Sequence, residues 1–189
     1  CSNGIRTISV DLIKLHGSTQ SPSAQLATAN SVFSGCCVRF IAGATPPQES
    51  QTTTEGWLGG DTDVDRTEGA GCGNIGGEEQ VMFDGAATNH SLTSRMRVFF
   101  VASFNTSGLA YSIPPYCATG AEERYVNHAV VGNNALTDTL AHEFGHILLN
   151  SGTHSGIDNP ADSRNLMFAP GRTASDLDAT QCATIFGNA

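Results

Sequence analysis

The segment Leu140-Ala141-His142-Glu143-Phe144-Gly145-His146-Ile147-Leu148-Leu149 constrains the fold of this chain more than any other. Its apolar residues recur at helical spacing, so it reads as a helix over 135–149. Two histidines and a glutamate sit inside that apolar frame, and burying them without partners is costly. Four residues turn an α-helix by about 400°, so His142 and His146 leave one face a single turn apart. Two imidazole nitrogens so placed can share one ion at about 2.0–2.1 Å. Glu143 lies about 100° further round, where a carboxylate reaches a water on that ion rather than the ion itself. Beside this stands the ordinary reading, an amphipathic helix with surface histidines.

A catalytic zinc takes three protein ligands and keeps a position for water. His154 is the best third ligand, with Asp158 the alternate. Asn150 tolerates the left-handed conformation at a helix end, and Gly152 lets the chain turn back.

The rest of the chain supplies a sheet. Residues 5–15 alternate like a strand, and 22–34 read as a helix with Pro22 in its first turn and Gly35 as its stop. Residues 37–42 read as a second strand, so the chain opens β-α-β with a parallel pair. Residues 43–79 hold Pro46-Pro47, a Ser/Thr/Gln run and many glycines, and read as one long surface loop. Residues 80–84 read as a short strand. Residues 96–104 carry the strongest strand signal, which places them centrally; 109–113 read as an edge strand ended by Pro114-Pro115, and 126–131 as the last strand. Asp178-Ala179-Thr180-Gln181 is a capping box ahead of a C-terminal helix.

His142-Glu143-x-x-His146, a later histidine and Met167 in Asn165-Leu166-Met167 resemble the signature of the metzincin zinc proteases, whose consensus is H-E-x-x-H-x-x-G-x-x-H followed by a Met-turn. Leu149 stands in the consensus glycine position, Gly152 in that of the third histidine, and His154 two residues later. The resemblance extends to the order of elements over nearly the whole chain. It implies an α+β fold with a twisted mixed β-sheet, an active-site helix, a Met-turn and a C-terminal helix. It implies a single catalytic domain over 1–189, with 1–149 as an upper lobe and 150–189 as a smaller lower lobe. It further implies zinc held by His142, His146 and His154, Glu143 as general base, Met167 as the floor beneath the metal, and Phe168, Ala169 and Pro170 as a wall of the substrate pocket. Some members carry a tyrosine two residues after the Met; Ala169 stands there, so that role is unassigned.

Composition bounds the partners. Lys and Arg total 9 against 18 Asp and Glu, a formal net charge of −9, and no basic cluster offsets it; nucleic acid and anionic lipid are disfavoured. No apolar run approaches the roughly 20 residues that span a bilayer. Six cysteines, at 1, 36, 37, 72, 117 and 182, are even in number and form no C-x-x-C pair. They read as disulfides of a secreted protein, with Cys36 and Cys37 bound to different partners. Asp61, Asp63 and Asp65 resemble the start of a calcium loop, but Arg66 replaces the required Gly and Cys72 the required Glu, so calcium is a secondary expectation behind a solvated acidic loop. His16, His90 and His128 are read as surface or strand histidines, and Trp57 as packed within its own loop. The expectation is a secreted, monomeric zinc endopeptidase acting on protein or peptide. The rival is a secreted zinc-stabilised binding module or toxin subunit with a closed site. A site with a downstream Glu ligand is disfavoured, because no Glu follows Glu143.

Overall fold

A computed structural model describes residues 1–45, 48–65, 72, 75–105, 108–118, 120–154, 163–168 and 175–189, without the side chains of 120–122. Strands β1 (Arg6–Lys14) and β2 (Val38–Ala42) flank helix α1 (Pro22–Phe33) and pair in parallel, as the β-α-β opening predicts. Pro22 begins α1, and Ser21 caps it by accepting from the Ala24 amide at 3.3 Å. Then follow α2 (Gln51–Trp57), β3 (Asp63–Val64), α3 (Gly77–Asn89), β4 (Met96–Phe100), β5 (Ser103–Phe104), β6 (Ala110–Ile113), β7 (His128–Val131), α4 (Thr139–Leu149) and α5 (Ala179–Asn188).

The main sheet has the order β2-β1-β4-β7-β6. The first four strands are parallel and β6 lies antiparallel on the edge, so the sheet is mixed and β4 is its centre. Side chains alternate between its two faces. Ile8, Val10, Leu12, Met96, Val98, Phe100, Ala129 and Val131 pack with α1, α4 and α5; Ile13, Leu15, Phe99, Val101 and Val130 pack with α2 and α3. Helices on both faces explain why β4 and β7 at the middle of the sheet read as nearly continuous apolar runs.

Two sequence expectations are corrected. Residues 43–79 are not one loop. Ser50 caps α2 by accepting from the Thr53 amide at 3.1 Å, and Trp57 at its end is buried, packed on Gly85 of α3. Residues 80–84 are not a strand but the middle of α3. Its buried positions Glu79, Met82, Phe83 and Ala86 keep helical spacing, which the glycines around them obscure. A Cβ on Gly85 would stand 2.3 Å from the Trp57 indole nitrogen, so this glycine serves close packing rather than a break.

Three disulfides join Cys1 to Cys37, Cys36 to Cys182 and Cys72 to Cys117, with the two adjacent cysteines going to different partners. The second ties α5 to the turn before β2. Among the described residues no helix is long and apolar enough to cross a membrane.

Candidate metal centre

Helix α4 carries the site, and its position is set at both ends. At the N-terminal end the buried Gln25 of α1 accepts from the Leu140 amide at 3.3 Å and donates to the Leu136 carbonyl at 2.9 Å. Gln20 donates to the carbonyls of Asn133 and Ala135 at 3.0 and 3.2 Å, holding the same entry loop. The Leu136 amide donates to Thr139 Oγ1 at 2.8 Å, and the helix begins at Thr139, four residues later than the sequence reading places it. At the C-terminal end Asn150 is left-handed (φ 51°, ψ 47°), as expected for the helix stop. Gly152 has no positive φ; its role is close approach, since a Cβ there would lie 2.3 Å from the Tyr116 hydroxyl oxygen.

The two helical histidines and His154 converge. Their Nε2 atoms lie 3.1 Å apart for His142 and His146, 3.1 Å for His142 and His154, and 3.3 Å for His146 and His154. Among the described residues this is the one group of three His, Cys, Asp or Glu side chains with metal-ligand spacing. A tetrahedral zinc with bonds of about 2.0–2.1 Å separates its ligand atoms by about 3.3–3.4 Å, so the observed triangle fits that ion. The donor set is three neutral-capable nitrogens with no thiolate, which suits zinc in a site that keeps water.

The far sides of the rings are held by backbone. His142 Nδ1 donates to the Leu166 carbonyl at 2.6 Å, and His146 Nδ1 to the Ser151 carbonyl at 2.7 Å. With the proton on Nδ1, each Nε2 lone pair faces the shared centre. Burial pushes His146 down to about 4, with the neighbouring His142 adding to the effect and the Ser151 carbonyl opposing it. Burial also lowers His154, helped by His146 and His142 and opposed by the Glu143 carboxylate. Both rings are therefore neutral, the ligating form, at neutral pH. Glu143 is buried on the helix beside this cluster.

Met167 lies beneath the helix, 2% exposed. A Cβ on Gly145 would stand 2.3 Å from its sulfur, so the missing side chain at 145 is what admits the Met167 turn. That turn is fixed from α5. Asn165 and Gln181 exchange amide hydrogen bonds of 2.8 and 3.1 Å, and Asn165 Oδ1 accepts from the Met167 amide at 2.9 Å. Gln181 also completes the capping box with Asp178 that the sequence shows. Phe168 follows, half-buried, its amide donating to the Asn165 carbonyl at 2.9 Å. Ala169, Pro170 and the alternate ligand Asp158 lie outside the described residues.

No local sequence signal marks Gln25 or Gly145 as supports of this site, or pairs Asn165 of the Met167 tripeptide with Gln181 of the capping box. The remaining candidates fall elsewhere. Asp61 accepts from the Asp63 amide at 2.9 Å, Asp63 bonds Ser103 Oγ, and the Asp65 amide donates to Glu78 at 2.7 Å. Among the described residues these carboxylates form no metal-spaced group, and Arg66 lies outside them. His90 pairs with Glu49, and His128 is buried in β7 among Phe83, Phe99 and Tyr125.

No family model and no curated protein matches the sequence. Among solved structures, one similar chain belongs to a chaperone–substrate complex, with a TM-score of 0.42, 11% identity and coverage of 80% of this chain and 24% of that one. Another is a zinc-dependent peptidase from Methanocorpusculum labreanum, with a TM-score of 0.39, 11% identity and coverage of 93% of this chain and 99% of that one. This chain thus spans about a quarter of the first and nearly all of the second. At such scores neither likeness carries a functional argument, which rests on the site itself.

Proposed function

We propose that the chain is a zinc-dependent endopeptidase of the metzincin type, secreted and monomeric, with 1–189 forming one catalytic domain of two lobes that meet at the cluster. The observation that carries this reading is the triangle of Nε2 atoms from His142, His146 and His154, sized for zinc, beside a buried carboxylate on the same helix. Met167 is assigned as the apolar floor, and Phe168, Ala169 and Pro170 as a wall of the substrate pocket. The disulfides and acidic surface suit an extracellular protein.

Zinc, when bound, supplies Lewis acidity that polarises the scissile carbonyl and makes water a better nucleophile. Glu143 removes a proton from the attacking water as its oxygen bonds to the carbonyl carbon. The same carboxyl then gives that proton to the departing amine nitrogen as the C–N bond breaks. Burial and helical placement keep Glu143 beside the reacting atoms, and the backbone-anchored imidazoles keep the centre rigid.

Glu143→Ala is expected to retain zinc, measured by elemental analysis, and to lose about 10²–10⁴ in kcat/KM on a denatured protein substrate. Proteolysis at the wild-type rate in that variant defeats the assignment.

A further inference from the structure

Strand β6 is the antiparallel edge of the sheet, packed over α4, and among the described residues no strand pairs with its outer edge, the side on which an extended chain can add. Its far end does not run out freely into solvent. Beyond Ile113 come Pro114, Pro115, Tyr116 and Cys117, the last bonded to Cys72. The Tyr116 amide donates to Asn150 Oδ1 at 2.5 Å. The phenol reaches the loop that carries the third histidine, packing so closely on Gly152 that a Cβ there would lie 2.3 Å from its oxygen and 3.4 Å from Cζ. The end of the edge strand and the 150–154 loop are therefore bridged, two residues from His154. Yet Tyr116 remains 45% exposed, unusual for a ring so anchored. Among the described residues, none covers its other surface.

We infer that Tyr116 is a specificity-determining residue: it joins the end of β6 to the 150–154 loop and stacks one flat or apolar side chain of the substrate, an aromatic, proline or aliphatic residue, at a fixed distance from the cleaved bond. The inference rests on the peptidase reading above. An anchored aromatic offers a large contact face at little entropic cost, and ring stacking or proline packing is its preferred use. Two prolines before it and a disulfide after it restrict the backbone that carries the ring. A substrate strand added to β6 must pass this ring or end at it, so selection acts at one position on one side of the bond.

The test is cleavage-site profiling on a peptide library with the disulfide-intact, zinc-loaded protein. The wild type is expected to show one position with at least tenfold selection for aromatic, proline or aliphatic residues. Tyr116→Ala abolishes that selection and leaves zinc content unchanged, whereas Tyr116→Phe keeps it. Gly152→Ala, which pushes the ring aside without altering it, shifts the same position; it serves as the second variant should Tyr116→Ala fold poorly. A wild type that cleaves the library with a profile unchanged in Tyr116→Ala and Gly152→Ala overturns this inference alone. A zinc-loaded wild type that cleaves nothing overturns the peptidase reading beneath it.

Discussion

Replacing Gly145 by alanine separates helix propensity from the support of the metal centre. In an isolated helix the change is favourable by about 1 kcal/mol, because glycine is the poorer helix former. Here the new Cβ would stand 2.3 Å from the Met167 sulfur. Ordinary contact is about 3.5–4.0 Å, so the sulfur must retreat by about 1.2 Å or more. Met167 is 2% exposed and its turn is clamped by Asn165 and Gln181, so the side chain has little room to move alone. Overpacking of this kind costs about 1–3 kcal/mol, which offsets the propensity gain and leaves a net loss of about 0–2 kcal/mol. The larger effect falls on the metal. The neighbouring Leu166 carbonyl holds His142 Nδ1 at 2.6 Å, and a shift of the turn by about 1 Å breaks that bond. Loss of such an orienting contact lowers metal affinity by about 10–100-fold. Competition with a chromogenic chelator gives the zinc affinity, and thermal melting of the zinc-free protein gives the stability. A variant that melts higher than wild type and binds zinc equally well would refute the packing argument, since propensity alone predicts that result.

Two other perturbations act away from the metal. His128 is buried among aromatic rings, and burial, opposed by the Val126 carbonyl, pushes it down to about 4. Its folded value lies below its ordinary 6.5, so its contribution to stability is complete above about pH 6.5, falls as pH drops from there to about 4, and then levels; the loss is of order 3 kcal/mol. His128→Leu should flatten the denaturant-derived stability over that window, and an unchanged slope relative to wild type contradicts it. Cys36–Cys182 spans 146 residues of sequence and fastens α5, which clamps the Met167 turn. The double serine variant should lose about 2–5 kcal/mol of stability and bind zinc more weakly; wild-type values for both contradict the clamp.

Much of the site was legible because helical spacing fixes it. Residues four apart on one helix must share a face, so His142 and His146 leave α4 on one side, and the structure brings their Nε2 atoms to 3.1 Å. The β-α-β opening, the central β4 and the edge β6 were legible for a similar reason, since strand patterns and proline punctuation are local. The helix α3 was missed because Gly76, Gly77 and Gly85 interrupt a pattern that Glu79, Met82, Phe83 and Ala86 carry, and one of those glycines exists only to admit Trp57 from α2. The same holds for Gly145. Its meaning lies in Met167, 22 residues away, and no local pattern links them. Gln25 looks like an ordinary surface helix residue, and Gln181 like a capping-box residue alone, until their partners in the entry loop of α4 and in the Met167 turn are seen.

Zinc K-edge absorption spectroscopy on the zinc-loaded protein tests the central assignment most directly. Three imidazoles and one light oxygen scatterer at about 2.0–2.1 Å are expected, with one imidazole lost in His154→Ala. A spectrum with two imidazoles, or one that keeps all its imidazoles in His154→Ala, contradicts the assigned ligand set.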